Sequence, residues 1–272
     1  MIFDLHVHTN YSDGLFTPKE VIDLAIKKNL DGIAITDHDT VDGIETAIKY
    51  NNSLNKGLYI IPGIEFGCIH LNEEVHILGY FIDYKSRELA NLSNKLKESR
   101  LNRGLKMINK LNHIGIKIKK EEVKSLANEN LISRSHIARV LVQKGYVKSI
   151  EEAFNLYLNR GQPGYVEKVA PNVKMTINII HNLGGIAVLA HPGLLKNKTI
   201  IKYCINNNID GIEAIHWKHK PEDIRYLLNI AEKNNLIITG GSDCHGRLIN
   251  GDYLLGKYYI NINNIPIMKG RI

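Results

Sequence analysis

The sequence predicts an α/β chain with a helical segment inserted near its middle, and three observations carry that expectation. Short apolar runs such as Ile33-Ala34-Ile35-Thr36, Ile186-Ala187-Val188-Leu189-Ala190 and Leu236-Ile237-Ile238-Thr239 have the length and β-branched content of buried strands, and stretches of helical period separate them. From about Lys85 to Gly161 the strand pattern stops, and apolar residues recur at helical spacing instead. Several apolar runs then end in clusters of His and Asp, at the strand ends where α/β sheets and barrels place their chemistry. The expected division is 1–85 for the first part of the main domain, 86–165 for the insertion and 166–272 for the second part.

Bulk composition narrows the class. A chain of 272 residues with 44% hydrophobic and 23% charged residues is an ordinary globular protein. No apolar run approaches the ~20 residues of a membrane span, and the chain enters a strand at once, so neither a membrane segment nor a secretory leader is expected. Cys68, Cys204 and Cys244 are scattered and odd in number, which suits a reducing cytoplasm. The formal charge of +7 suits an anionic ligand, and equally a general bias toward Lys.

The first strand holds the strongest signal. Phe3, Leu5 and Val7 alternate with Asp4, His6 and His8, the period of a strand with two unlike faces. His6 and His8 therefore project together, about 7 Å apart along the strand. Two imidazoles on one face suit a metal better than a core. Tyr11-Ser12-Asp13-Gly14 is a turn that returns a carboxylate toward the strand end. Thr17-Pro18-Lys19-Glu20 combines a capping box with proline at the first helical position, opening a helix to about Lys28. Ile33–Thr36 follows, ending in Asp37-His38-Asp39, and Thr40 is expected to cap a helix reaching Tyr50. The third strand begins at Leu58 and carries Glu65 among hydrophobic neighbours, where a carboxylate needs a cation. Glu73–Tyr80 reads as a fourth strand, with His76 in it.

The insertion should hold a long helix from Ser86 to Gly115, then Lys120–Asn128, Arg134–Lys144 and a helix opened by Ser149-x-x-Glu152. Afterwards a helix over Asn172–Leu183 stops at Gly184-Gly185, and strand Ile186–Ala190 ends in His191. Helix Thr199–Asn207, strand Gly211–His216, helix Pro221–Asn234 and strand Leu236–Gly241 complete the alternation, the last strand ending in Asp243-Cys244-His245. Leu255–Ile260 could add one short strand. Clusters at four corresponding strand ends, with His6, His8, Asp13, Glu65 and His76, make a His/carboxylate set suited to Zn, Mn or Fe. Cys244 reads as a small buried neighbour.

On these motifs the chain resembles the PHP domain (polymerase and histidinol phosphatase), and within it the TrpH-like group of 3′,5′-nucleotide bisphosphate phosphatases and 5′→3′ exoribonucleases. The resemblance runs from Asp4 to Gly246. It implies a distorted seven-stranded β/α barrel holding three divalent metals, manganese first and iron or zinc as alternatives. Carried over by motif, His6, His8, Glu65 and Asp243 would hold the first, Glu65 would bridge to a second held also by His76 and His191, and Asp13, His38 and His245 would hold the third. About +6 from the ions, less about four from Asp13, Glu65, Asp243 and a bridging hydroxide, leaves about +2 for a phosphate dianion. Asp37 and Asp39 are expected behind the ligands, orienting their imidazoles.

In the insertion, Ser133-Arg134-Ser135-His136 stands where the group commonly reads Gly-Arg-Pro-His. Ser133 would cap the next helix, with Arg134 near its N-terminus. The resemblance makes Arg134, His136, Lys168 and His219 substrate contacts, and His216 or a metal-bound water the proton donor to the leaving oxygen. His219 could instead be a surface residue. The reaction so implied is attack of a metal-bound hydroxide on a phosphate ester of a small nucleotide, such as a nucleoside 3′,5′-bisphosphate, or of short 5′-phosphorylated RNA. One phosphate would sit on the metals and a second on Arg134. The alternatives are a histidinol-phosphatase-like enzyme, which the insertion disfavours, and a non-catalytic PHP module that binds nucleic acid. No protein partner is implied.

Overall fold

In the computed structural model, which describes residues 1–54, 57–126 and 132–272, seven strands stand side by side in chain order. They are β1 (Ile2–Val7), β2 (Gly32–Ile35), β3 (Tyr59–His70), β4 (Glu73–Tyr80), β5 (Ile186–Leu189), β6 (Gly211–His216) and β7 (Ile237–Gly241). β1, β2 and β3 are parallel, as are β5, β6 and β7, while β4 runs antiparallel to both its neighbours. Six strands therefore deliver their carboxyl ends to one mouth, and β4 delivers its beginning.

β8 (Leu248–Ile249) and β9 (Asp252–Tyr253) form a small separate hairpin. The late strand expected over Leu255–Ile260 is mostly a turn around Gly256, whose φ is +75°. Only β10 (Ile260–Asn261) pairs, antiparallel to β1, so the sheet has eight strands where seven were expected. The sheet curls until its ends nearly meet. His8 N–H donates to the Cys244 carbonyl at 3.0 Å, and Val7 bridges Cys244 in parallel.

Two strands break register beside the mouth, β1 between Asp4 and Val7 and β6 between Glu213 and Ile215. The simple alternation expected for β1 accordingly fails. Phe3 and Leu5 pack with Ala34, Leu78 and Val188, whereas Val7 joins the cluster of Ile33 and Ile35 against the helices. His6 and His8 still point into one site. Such irregularities recur where a strand must re-aim side chains.

The helices α1 (Pro18–Lys27), α2 (Asp42–Asn52), α3 (Arg87–His113), α4 (Lys120–Lys124), α5 (Arg134–Gln143), α6 (Ile150–Ala153), α7 (Val173–Asn182), α8 (Thr199–Asn206) and α9 (Pro221–Lys233) lie within about two residues of expectation, α4 and α6 apart. Thr17 and Glu20 close the expected capping box of α1. At α2 the cap position is Val41, and the Thr40 hydroxyl accepts the Asp42 N–H at 3.3 Å. α4 ends at Lys124, and residues 127 and 128 of its expected span lie outside the described residues. α6 runs on into one π-helical turn, Phe154–Leu158. Among the described residues no helix is long and apolar enough to cross a membrane.

The insertion has an apolar cluster of its own, with Met107, Leu111, Ile137, Leu141 and Leu158 at its centre. α3 spans both bodies: Leu89, Leu92 and Leu96 pack on the barrel, Leu101 and Leu105 on the insertion.

The barrel seam makes a testable demand. A Cβ at Gly241 would stand 2.4 Å from His6 Cβ and 2.5 Å from His6 N. Gly241→Ala must push β7 off β1, at a cost of about 1–3 kcal/mol. Urea unfolding should show that loss, and an unchanged midpoint would refute the close seam.

Candidate metal centre

Glu65 lies in the middle of β3, opposite Leu78 of β4, and is 1% exposed. Its Oε1 is 2.8 Å from His76 Nδ1 and 3.1 Å from His191 Nε2. Its Oε2 is 2.8 Å from His38 Nδ1, 3.3 Å from His8 Nε2 and 3.5 Å from His6 Nε2. Burial alone would raise its pKa, but the imidazoles of His38, His76 and His6 outweigh it and hold the carboxyl well below the usual range. His76 can join because β4 is reversed: it sits near the start of that strand, opposite Gly67. His191 arrives from the end of β5 in a left-handed conformation, φ +30°.

Asp243, also left-handed at φ +51°, points Oδ1 at His8 Nε2 (3.2 Å), His245 Nδ1 (3.5 Å) and His6 Nε2 (3.6 Å). The expected turn forms: Ser12 and Gly14 N–H both donate to the Thr9 carbonyl, and Asp13 Oδ1 comes within 3.1 Å of His245 Nε2 and 3.9 Å of His38 Nε2. Donor atoms gather in three groups, His6-His8-Asp243, His38-Glu65-His76 and His8-Asp13-His38-His245, each within 4.8 Å. All nine residues expected as ligands are thus at one mouth. The grouping is tighter than the resemblance implied, since His8 and His38 each serve two groups.

Among the described residues, His6 Nε2, His8 Nε2, Asp13 Oδ1, His38 Nδ1 and Glu65 Oε2 are buried with no hydrogen-bond partner. Orphaned polar atoms are costly and rare. Two ligands on one ion at bonds of about 2.1 Å stand roughly 3–3.5 Å apart, and the His6 and His8 separations from Glu65 and Asp243 fall at or near that range. The residues fit divalent cations. The carboxylates Asp13 and Glu65 push His245 and His76 up to about 9 against the opposing effect of burial, and an ion would take the place of those protons, because ligand imidazoles must be neutral.

Behind the ligands the structure corrects the sequence reading. Asp37 accepts from Thr9 N–H (2.8 Å) and Oγ (2.6 Å) and from the Ser12 hydroxyl, which lies 3.5 Å from His8 Nδ1. It therefore orients an imidazole only through Ser12. Among the described residues Asp39 reaches no imidazole: it accepts Gly67 N–H at 3.0 Å and pairs with Arg100. The direct orienting carboxylate is Glu213, fully buried on β6, with Oε1 3.0 Å from His6 Nδ1 and Oε2 accepting His191 N–H at 2.8 Å. Asp4, equally buried, accepts from Ser242 and Gly256 N–H and ties β1 to the loops beyond β7. Glu213 was overlooked, although a glutamate inside a buried strand is the signal that marked Glu65.

Arg134 and Lys168 meet on another overlooked carboxylate, Glu74. Arg134 pairs with its Oε2, Lys168 Nζ lies 3.3 Å from its Oε1, and that oxygen is 3.7 Å from His76 Nε2. His136 is 1% exposed, and its Nδ1 accepts Ser133 N–H at 3.1 Å, closing the cap of α5. That bond fixes the orientation of the ring. His219 is neither a substrate contact nor a surface residue: its Nδ1 donates to the Ala214 carbonyl (2.9 Å) and its Nε2 accepts Gly193 N–H (3.1 Å). Both nitrogens join the loops after β5 and β6. His216 is fully buried, its Nδ1 accepting Lys218 N–H at 3.2 Å and its Nε2 3.4 Å from Asp243 Oδ2. Cys244 is the small buried neighbour expected.

The model of the PHP domain family matches residues 4–178. The chain is 33% identical over 90% of its length to the 5′-3′ exoribonuclease Rnm of Salmonella typhimurium, covering 85% of it. It is 34% identical over 89% of its length to the 3′,5′-nucleoside bisphosphate phosphatase of Chromobacterium violaceum, covering 86% of that protein. Among solved structures, a protein of Bifidobacterium adolescentis described as a metal-dependent phosphoesterase superposes with a TM-score of 0.89 at 28% identity, over 99% of this chain and 96% of that one.

Glu213→Gln keeps the side-chain volume and removes the charge that faces His6. Loss of such a partner should weaken divalent-ion binding about 10- to 100-fold with the fold intact, as read by chelator competition. Undiminished affinity would remove Glu213 from the centre.

Proposed function

The chain belongs to the PHP domain family, and we propose that it hydrolyses phosphate esters of small nucleotides, nucleoside 3′,5′-bisphosphates or short 5′-phosphorylated RNA, at a site for three divalent ions. It is a metal-dependent phosphoesterase by family; the nucleotide substrate is inferred from two relatives of 33% and 34% identity. The observation that carries the reading is the convergence of buried, unpartnered donor atoms from His6, His8, Asp13, His38 and Glu65. His6, His8, Glu65 and Asp243 would hold one ion, Glu65, His76 and His191 a second, and Asp13, His38 and His245 a third. Manganese is our first assignment, with iron or zinc compatible with the same donors. When bound, such ions polarise phosphoryl oxygens and bring the pKa of a water toward 7.

The chain's own groups supply the rest. Arg134 and Lys168, aimed by Glu74 beside His76, would bind the non-bridging oxygens of the reacting phosphate. Because Nδ1 of His216 accepts the Lys218 N–H, a neutral ring carries its proton on Nε2, the atom facing Asp243. That N–H would hydrogen-bond Asp243 or the leaving oxygen, and water would supply the proton the leaving oxygen takes up. Arg100 neutralises Asp39 and fixes Gly67 through it, so the strand carrying Glu65 is held from behind. The nine ligands proposed all belong to this chain, and the reading invokes no protein partner. Three buried free cysteines fit a cytoplasmic setting.

Manganese-loaded protein should release phosphate from adenosine 3′,5′-bisphosphate, or nucleotides from 5′-phosphorylated oligoribonucleotides, and chelation should abolish both. A protein that folds, binds manganese and cleaves neither would overturn the substrate assignment. Glu65→Gln should keep the fold, lose the ions at the first two positions and lose nearly all turnover. Full metal content in that variant would rule out the bridging role.

A further inference from the structure

Three polar side chains stand in the otherwise apolar lumen that Phe3, Leu5, Leu78, Val188 and Ile237 build below the donor cluster. They are Glu213 on β6, Thr239 on β7 and Tyr80 at the end of β4, each fully buried. Glu213 and Thr239 are direct partners in the register of β6 and β7, so their side chains share one face. That face is the inner one. Glu213 meets His6 Nδ1 on it at 3.0 Å, and Ile237, two residues before Thr239, packs in the lumen. Tyr80 comes from below. Because β4 is reversed, its last residue lies deep in the barrel, opposite Ile186 at the start of β5 and on the same face as Leu78. The phenol feels both neighbours. Burial, then the Glu213 charge, hold it well above its usual range, and the Thr239 hydroxyl pulls the other way.

Neither the Tyr80 nor the Thr239 hydroxyl has a hydrogen-bond partner among the described residues. A buried O–H without an acceptor is costly, whereas phenylalanine and valine would suit the same apolar neighbours without that penalty. Two such groups beside one carboxylate point to a shared acceptor. Glu213 has the capacity, since its oxygens serve only His6 Nδ1 and His191 N–H, and a carboxylate offers about four lone-pair sites. Asp4, the next acid that the phenol feels, is already occupied by the backbone N–H groups of His6, Ser242 and Gly256.

We propose that Tyr80 and Thr239 are positioning residues for the metal centre, a floor of hydroxyls that holds Glu213 and keeps its charge aimed at His6. Tyr80 donates to Thr239 Oγ1 and Thr239 donates to a spare lone pair of Glu213, so a chain of O–H bonds runs up the lumen to a ligand. The carboxylate is then fixed from below, and the imidazole that it orients keeps Nε2 toward the donor cluster. The inference rests on the metal-centre part of the functional reading and is independent of the substrate. It gives the lumen a reason to hold hydroxyls where apolar groups would serve the fold better.

The test is manganese affinity, read by chelator competition. It compares wild type, Tyr80→Phe, Thr239→Val, Thr239→Ser and Glu213→Gln, with each hydroxyl deletion also placed in the Glu213→Gln background. Each deletion alone should weaken binding about 3- to 10-fold, the effect of one hydrogen bond. Thr239→Ser keeps the hydroxyl and should bind as wild type does. In the Glu213→Gln background the deletions should cost nothing further, because the group they act through has lost its charge. The urea midpoint of metal-free Thr239→Val should not fall. A lower midpoint with unchanged affinity would make the hydroxyls part of the fold alone and overturn the proposal. Losses that add in full to that of Glu213→Gln would overturn it too. Wild-type affinity in both single deletions sinks the floor and leaves the metal centre standing, whereas a wild type that binds no manganese sinks both. Should one deletion fail to fold, the other decides.

Discussion

A carboxylate buried in the wall of a barrel must be answered by positive charge, and Glu65 sets that requirement for this protein. Five imidazoles, from β1, the end of β2, the start of β4 and the end of β5, crowd its two oxygens. Their protons alone meet the demand poorly, because the same burial that isolates Glu65 disfavours charged histidines. His8 shows it: burial, then His245 and His38, push it down to about 3. Divalent ions resolve the conflict by taking neutral imidazoles and ionised carboxylates together. The centre is thus a place where protein groups cannot satisfy each other.

The backbone departs from regularity where this centre needs it. β4 runs against its neighbours, which lets a strand contribute His76 from its first residues. The register shifts in β1 and β6 lie beside His6 and Glu213, and these two residues bond each other across the mouth at 3.0 Å. His191 and Asp243 both adopt positive φ, uncommon for residues other than glycine. Regular strands would have placed these groups on alternating faces.

Much of this was legible in the sequence because the relevant signals are local. Apolar runs ending in His or Asp stand out, and strand, helix and capping-box positions fell within a few residues of where they form. What was not legible depends on distant partners. Nothing in Asp39 reveals Arg100, 61 residues away, and nothing in Arg134 reveals Glu74, 60 residues away. His219 was read as a substrate contact from the segment that contains it, but both nitrogens of its ring bond backbone groups. His136 had a local signal, the Ser133-x-x-His136 spacing of a capping box with imidazole in place of a carboxylate. Leu255–Ile260 misled because its composition suits a strand, while Gly256 at φ +75° turns the chain there.

Beyond the leucines that open α3, the insertion meets the barrel through polar groups, although it owns an apolar core. Arg134 reaches Glu74, Arg139 the Asp13 carbonyl, Arg100 from α3 reaches Asp39, and Ser93 donates to the Asp39 carbonyl at 2.8 Å. A seam of leucines would hold the two bodies as firmly, but it would bring no positive charge to the mouth. Cations along the seam do two tasks with one set of side chains, fastening the insertion and adding positive charge at the entrance. Where Glu74 and Asp39 balance them they fasten. At Arg103 and Arg139, which pair with no carboxylate among the described residues, they hold backbone carbonyls of Val166 and Asp13 and their charge stays unbalanced.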